Sequence, residues 1–194
     1  MIRINTPVTE EEIRRLNAGD EVEISGIIVT GRDAAHKYLI ENDDQELRKV
    51  LSGTFIYHCG PIVVKENGEY VFKAAGPTTS IREEPYQAEV IKRYGLRGVI
   101  GKGGMGKKTL QGLVDFGAVY LHAVGGAAVY IGERIKRVKD VYKLEDFGVP
   151  EALWVIEVEN LPAVVTMDSK GRSLHEDVLN ESRKVYESII EKIR

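Results

Sequence analysis

The stretch R97-G-V-I-G-K-G-G-M-G-K-K-T-L-Q-G-L-V-D-F116 indicates most clearly how this chain folds. Residues 97–100 are a short run typical of a strand, and residues 109–116 have the apolar spacing of a helix. The glycine-rich segment between them is typical of a tight turn, because glycine adopts positive φ angles at no steric cost. A strand pattern at 118–122 and a helix pattern at 126–135 follow. The second half of the chain therefore predicts alternating strands and helices.

The first half of the chain is richer in strand patterns. Residues 21–30 predict either one strand or a bent pair of strands around Gly26. Residues 62–65 and 69–74 predict a hairpin, because the Asn67-Gly68 pair between them favours a two-residue turn. We therefore expect mainly antiparallel pairing in this half.

Helix signals mark three further segments. Asp33 is predicted to cap a short helix that runs to Ile40. Residues 84–94 predict a helix that ends at Gly95. The tail at 174–193 has the apolar period of an amphipathic helix, which we expect to dock on the core. The residues on its predicted inner face are Val178, Ser182, Val185, Ile189 and Ile193.

The remaining strand patterns complete one domain. They lie at 138–144, 153–158 and 163–167, and no proline- or serine-rich linker separates the two halves. We therefore predict a single mixed α/β domain over residues 1–194, built in layers.

The composition limits the class of protein. The chain has 194 residues, 43% hydrophobic and 29% charged, with a net charge of -3, as in ordinary soluble proteins. The acidic balance argues against nucleic acid as a partner, and no apolar run approaches the ~20 residues of a membrane span. The start of the chain has no signal-peptide pattern, so we expect a cytoplasmic protein. One cysteine, Cys59, excludes an internal disulfide framework.

Four short segments carry groups that bind anions. They are T30-G-R-D-A-A-H36, H58-C-G-P61, G76-P-T-T-S-I-R82 and G101-K-G-G-M-G106. Arg32, Arg82 and Lys102 supply fixed positive charge, since arginine grips a carboxylate with two donors and lysine acts as a point charge. The hydroxyls of Thr78 and Thr79 lie between two of these cations in the sequence. Together they predict one site for a small, multiply charged oxyanion.

The lysine-glycine segment also permits a second interpretation. A strand before it and a helix after it are typical of a P-loop, which binds nucleotide phosphates. However, Lys108 stands where a P-loop has its magnesium-binding hydroxyl, and Thr109 is one position further on. Backbone amides around Gly103 and Gly104 would receive an anion in either case. A non-catalytic anion-binding module is the third alternative.

Simpler structural roles remain open for the individual residues. Arg32 and Asp33 are consistent with a surface ion pair, and Thr78, Thr79 and Ser80 with a helix cap. We predict that His36 orients neighbours by hydrogen bonds. The neighbours His58 and Cys59 are too few to form a metal site, and no residue of this chain is predicted as a metal ligand.

The ordered motifs G-R-D-x-x-H, H-x-G-P, G-P-T-T-S-x-R and G-K-G-G-M-G resemble one known family. This chain resembles the β subunit of two-subunit iron-sulfur hydro-lyases, namely class I fumarate hydratases and L(+)-tartrate dehydratases. In some members the same unit is the C-terminal domain of a single chain. The resemblance covers nearly the whole sequence and includes G148-V-P-E-A-L-W154 and M167-D-S-K-G171.

The resemblance implies a function shared with a second subunit. A cysteine-bearing α subunit would hold a [4Fe-4S] cluster, in an αβ or α2β2 assembly, because Cys59 alone cannot hold one. The implied fold is a swivelling β/β/α domain. The implied activity is fumarate hydration to L-malate, with L(+)-tartrate dehydration as the alternative.

The resemblance also assigns roles to the anion-binding residues. The substrate, a small dicarboxylate, would contact Arg32, Thr78, Thr79, Arg82 and Lys102. Thr78 and Lys102 would be catalytic, with Thr78 near the C3 proton of the substrate and Thr79 as the alternative hydroxyl. The implied supporting residues are Asp33, His36, Gly103 and Gly104.

Overall fold

The computed structural model describes residues 1–193 and confirms a mixed α/β fold. Within these residues the strands are β1 (Ile2–Thr6), β2 (Glu21–Thr30), β3 (Phe55–Tyr57), β4 (Ile62–Glu66), β5 (Glu69–Ala74), β6 (Gly98–Gly101), β7 (Val119–His122), β8 (Ile135–Tyr142) and β9 (Leu153–Met167). The α-helices are α1 (Glu10–Arg14), α2 (Asp33–Glu41), α3 (Gln45–Leu51), α4 (Gln87–Tyr94), α5 (Lys107–Phe116), α6 (Ala128–Glu133), α7 (Leu144–Phe147) and α8 (Leu174–Ile193). A short 3-10 helix, Ser80–Glu83, precedes α4. No helix of the described chain is both long enough and apolar enough to cross a membrane.

Seven strands form one mixed sheet in the order β1-β2-β3-β6-β7-β9-β8. The first five of these are parallel neighbours, whereas β9 runs antiparallel to β7, β2 and β8. Because β9 pairs with both β7 and β2, it closes β2, β3, β6 and β7 into a ring. The carboxyl ends of four parallel strands consequently meet at one end of that ring.

The expected antiparallel pairing of the first half is wrong for the main sheet and holds only for the β4–β5 hairpin. Parallel neighbours need a crossover, and α1 connects β1 to β2, while α2 and α3 connect β2 to β3. Helix α3, over Gln45–Leu51, was not predicted. Local patterns indicate that a strand exists but do not identify the strand with which it pairs.

Two hydrophobic clusters pack on opposite faces of the sheet. Phe55 and Tyr57 face the cluster that includes the β4–β5 hairpin, and Ile56 between them faces the cluster beneath α2–α5. This alternation follows from the two-residue period of a strand. The resulting order of hairpin, sheet and helices agrees with β/β/α layering.

Two segments differ from their predicted boundaries for local reasons. The strands expected at 153–158 and 163–167 are one strand, β9, which continues through Asn160 in a left-handed conformation (φ 51°). The helix expected at 84–94 starts only at Gln87. Glu84 is already helical (φ -51°, ψ -37°) as the C-terminal cap of the 3-10 helix, and Pro85 after it has no amide to donate to a helical hydrogen bond.

The expected docking of the last helix on the core is wrong. No side chain of α8 is buried, and the predicted inner face is solvent-exposed, with Val178 62% and Ile189 49% exposed. The helix is attached near its start, where His175 Nε2 lies 3.0 Å from the Thr166 hydroxyl. An apolar period shows that a helix has an apolar face, but it does not show what covers that face.

We expect Gly26 to be required for stability, because its lack of a side chain allows β1 to approach β2. Its φ is +104°, and a Cβ there would lie 2.6 Å from the carbonyl oxygen of Thr6. Gly68 is a matched control, since its φ is +89° but no atom lies within 4 Å of the corresponding position. We expect Gly68→Ala to lower the free energy of unfolding by ~1 kcal/mol and Gly26→Ala by ~3 kcal/mol. Equal losses in denaturant titrations would contradict the close approach.

Candidate functional site

Three predicted cation-bearing or histidine-bearing segments lie at the carboxyl ends of neighbouring parallel strands. Gly31 and Arg32 follow β2, His58 follows β3, and Lys102 follows β6. In sheets of this kind the carboxyl ends of parallel strands form a shared edge where ligands bind. The strand order therefore gathers segments that are far apart in the sequence.

The loop that carries Thr78 is fixed to two of these strand ends by its backbone. Thr78 donates its amide to the His58 carbonyl oxygen at 2.7 Å and accepts the Lys102 amide at 3.2 Å. Ser80 donates its amide to the Lys102 carbonyl oxygen at 3.0 Å. Lys102 thus pairs with Thr79 in a parallel bridge, and its backbone bonds go to the flanking residues Thr78 and Ser80. Thr78 and Lys102 are half-buried, whereas Thr79 is exposed. Thr79 stands at the cap position of the 3-10 helix without a side-chain capping bond.

Arg32 lies against the turn after β3. A Cβ on Gly60 would come within 2.5 Å of the Arg32 guanidinium Nη1, so glycine leaves room for this side chain. Nη1 of Arg32 also lies 3.3 Å from a carboxylate oxygen of Glu151, and 20% of the arginine side chain is exposed. Because Cys59 pairs with Pro77 across a backbone bridge, this turn adjoins the Thr78 loop.

Arg82 forms an ion pair with Asp33, and its side chain is more than half exposed. The expected capping of α2 by Asp33 is wrong: the cap residue is Arg32, without a side-chain bond, and Asp33 is the first residue of the helix. Asp33 instead links two predicted substrate-binding segments. Both arginines therefore face a carboxylate of their own chain, whereas the ion pairs of the described residues do not include Lys102.

The glycines after Lys102 adopt left-handed conformations. Gly103 has φ +83° and Gly104 has φ +77°. A Cβ on Gly104 would lie 2.5 Å from the His175 ring, which anchors the start of α8 beside this loop. The lysine loop therefore depends on glycine for both its conformation and its packing.

The start of α5 does not offer the free amides of a P-loop. The carboxylate of Glu84 accepts the amides of Gly106, Lys108 and Thr109 at 2.8, 3.0 and 3.1 Å. It also accepts the Thr109 hydroxyl at 2.6 Å. Since a carboxylate already occupies the place of a phosphate, the nucleotide alternative loses its main support.

A buried acid that no sequence motif indicated lies next to Arg82. Glu83 is 2% exposed, and its Oε2 has no hydrogen-bond partner among the described atoms. Burial first, and the neighbouring Asp33 second, raise the pKa of Glu83 to about 8. Glu83 is therefore protonated at neutral pH and adds no negative charge beside Arg82. A glutamate at the end of a short 3-10 helix has no sequence pattern that reveals such burial.

Cys59 does not fit the role of an iron-sulfur ligand. Its side chain is 1% exposed, and burial raises the pKa of its thiol to about 12. A cluster needs several thiolates. The described residues also contain no group of three or more His, Cys, Asp or Glu side chains placed to hold a metal ion.

Comparison with known proteins identifies the family. Residues 1–178 match the family model described as the fumarase C-terminus. The chain belongs to the fumarase C-terminus family. A relative from Methanocaldococcus jannaschii, named as an L(+)-tartrate dehydratase subunit beta, is 42% identical over 189 residues, which are 96% of this chain and 95% of that protein.

Two further relatives of this fumarase C-terminus chain differ in length. A Geobacillus stearothermophilus protein, named as a class I fumarate hydratase, is 56% identical over 183 residues, but the match is 94% of this chain and only 35% of that protein. The L(+)-tartrate dehydratase subunit beta of Escherichia coli K12 is 34% identical over 184 residues, 94% of this chain and 89% of that subunit. The chain thus spans about a third of the Geobacillus protein and most of each β subunit.

The raised pKa of Glu83 should appear in the pH dependence of stability. In the unfolded chain Glu83 ionises near its ordinary pKa, whereas in the folded chain it keeps its proton up to about pH 8. The unfolded state therefore binds fewer protons in this window, and stability falls as pH rises through it. Glu83→Gln removes this loss, so the variant should gain stability relative to the wild type between pH 5 and pH 8.5. Parallel curves of unfolding free energy against pH for the two proteins would contradict the assignment.

Proposed function

We propose that this chain is the β subunit of an iron-sulfur hydro-lyase, with reversible hydration of fumarate to L-malate as its first candidate reaction. The observation that carries the proposal is the grouping of Arg32, Thr78 and Lys102 at adjoining strand ends in a member of the fumarase C-terminus family. The 56% identity to the Geobacillus protein favours fumarate as substrate. L(+)-tartrate dehydration is the second candidate, because two tartrate dehydratase β subunits match this chain over 95% and 89% of their length.

The cations suit a substrate with two carboxylates. In the proposed site Arg32 and Arg82 grip carboxylate oxygens with two donors each. Lys102, which has no ion-pair partner among residues 1–193, adds a third positive charge. Fixed charges of this kind stabilise negative charge that develops in a transition state without reorganising. Glu151 and Asp33, which pair with the arginines in the free chain, would share them with the substrate.

Thr78 is the proposed proton-transfer group. Its hydroxyl donates to the His58 carbonyl oxygen at 3.0 Å, which fixes the side chain. In the proposed step the Thr78 oxygen accepts the C3 proton as the hydroxyl passes its own proton to a base on the α subunit, so that the threonine ends neutral. A threonine hydroxyl is a poor base without nearby positive charge. The Lys102 amide bonds the Thr78 carbonyl oxygen, so the two residues meet through their backbones. An ammonium turned toward the Thr78 hydroxyl would stabilise the negative charge that develops on its oxygen.

In the proposed enzyme a cysteine-bearing α subunit holds the [4Fe-4S] cluster, in an αβ or α2β2 assembly. Two observations support a partner at this edge of the sheet. Cys59 does not fit the cluster. In addition, apolar side chains near the cations are exposed, among them Ile81 (50%), Val124 (60%) and Val129 (62%). A subunit interface is the kind of contact that would cover such side chains.

Reconstitution tests the function. The chain and its α subunit, each purified without oxygen, should be inactive alone, and the mixture should convert fumarate to malate. Faster turnover of tartrate than of fumarate would select the second candidate, and turnover by this chain alone would contradict the shared site. Lys102→Ala should lower kcat/KM of the mixture at least about 100-fold, the usual scale for removing a charged transition-state contact. Lys107→Ala is the matched control, since Lys107 is exposed at the start of α5, and it should change kcat/KM less than about twofold.

Paired threonine variants test proton transfer. Thr78→Val should reduce kcat at least about 100-fold, because it removes the hydroxyl that would accept the proton, and Thr78→Ser should restore part of it. Thr79→Val, at an exposed position one residue away, should leave kcat within about twofold of the wild type. If Thr79→Val were inactive and Thr78→Val active, Thr79 and not Thr78 would be the proton-transfer residue.

A further inference from the structure

A cluster of fully buried polar side chains lies directly beneath the cation site. His36, His58 and Gln87 have no exposed surface. The Nε2 atoms of His36 and His58 lie 2.9 and 2.8 Å from the same end of the Gln87 carboxamide. The two imidazole rings are 5.0 Å apart and meet edge to face. Gln87, the first residue of α4, therefore joins a histidine of α2 to the histidine that follows β3.

Each histidine holds a different part of the site. Nδ1 of His36 lies 2.9 Å from the carbonyl oxygen of Arg32. The carbonyl oxygen of His58 accepts both the amide and the hydroxyl of Thr78. Nδ1 of His58 lies 2.8 Å from the Ser80 hydroxyl, and Ser80 is bonded to the Lys102 loop. The carboxamide is thus a bridge between the arginine loop and the loops of the proposed catalytic residues.

Proton counting shows which end of the carboxamide faces the rings. If the oxygen faced them, both rings would donate from Nε2. Nδ1 of His36 would then either oppose the Arg32 carbonyl as a second acceptor or carry a further proton on a buried ring. The Gln87 nitrogen would also be left buried without a partner, as it is in that orientation. Both consequences are unfavourable.

The opposite orientation satisfies both rings. The amide nitrogen has two protons and can donate one to each Nε2. Each ring then keeps its single proton on Nδ1, so that His36 donates to Arg32 and His58 donates to the Ser80 hydroxyl oxygen. The side-chain oxygen of Gln87 then remains buried without a partner. This costs less free energy than a buried NH2 group without a partner. Burial lowers the pKa of both histidines, in agreement with neutral rings.

We propose that Gln87 is a positioning residue that donates one hydrogen bond to each histidine and thereby fixes the spacing between Arg32 and Thr78. The consequence for catalysis rests on the proposed function, whereas the hydrogen-bond pattern does not. No sequence motif of the site includes Gln87, which lies five residues beyond Arg82 on the next helix.

Histidine tautomers in the full wild-type chain test the hydrogen-bond pattern directly. In 15N-labelled protein, His36 and His58 should both show a protected proton on Nδ1 and a bare Nε2. The other two histidines, His122 and His175, are removed one at a time to assign the signals. Protected Nε2 protons on both rings, or a doubly protonated His36 at neutral pH, would overturn the proposal, whether or not the chain has hydro-lyase activity.

Variants in the reconstituted enzyme test whether Gln87 matters for catalysis. Gln87→Leu should lower kcat/KM about 100-fold in the folded protein, the scale of a displacement of about 1 Å in a site. Gln87→Glu should not rescue activity, because a carboxylate accepts but cannot donate to Nε2. Gln111→Leu is the matched control, since Gln111 is exposed on α5 and bonds only Asp115 among the described hydrogen bonds. Wild-type kcat/KM in Gln87→Leu or Gln87→Glu would refute the positioning role. If Gln87→Leu does not fold, the histidine tautomers of the wild-type chain still test whether Gln87 donates to both rings.

Discussion

The hydrogen bond from the Thr78 amide to the His58 carbonyl oxygen is the contact on which the site depends. It attaches the loop that follows the β4–β5 hairpin to the end of β3, beside Lys102 at the end of β6. Without it the parallel strands would still align Arg32 and Lys102, but the hydroxyls between them in sequence would not join the cations. The closed ring of strands fixes this edge because β9 pairs with strands on both sides of it.

In the free chain, carboxylates offset the positive charge of the two arginines of the site. Glu151 faces Arg32, and Asp33 faces Arg82, so the positive charge of each arginine is offset by a carboxylate of the same chain. Glu83 avoids adding a third negative charge because burial raises its pKa to about 8. In the proposed function a dicarboxylate would share the arginines with these carboxylates and would also contact the positive charge of Lys102.

The sequence predicted the fold class, most strands and the family, and these are confirmed. Gly26 and the Asn67-Gly68 pair favour a bend or a turn because of their own backbone preferences. Local patterns were therefore enough to predict the structure at these residues. The parallel pairing of β2 with β3, the exposure of α8 and the burial of Glu83 and Gln87 could not be predicted, because each depends on distant neighbours. The site roles of Arg32, Thr78, Arg82 and Lys102 stay predictions, although the structure brings their loops to one edge.

The location of the dicarboxylate site is tested most directly by NMR. The assembled enzyme, in which only this chain is isotopically labelled, is titrated with fumarate or L-malate. Binding should shift backbone amide signals at the strand ends that carry Arg32, His58 and Lys102 and in the loop around Thr78, with Lys102→Ala reducing the affinity. Saturable shifts confined to another surface, such as the groove between β5 and β8, would contradict the claim that these strand ends form the dicarboxylate site. The absence of any saturable shift would contradict it equally.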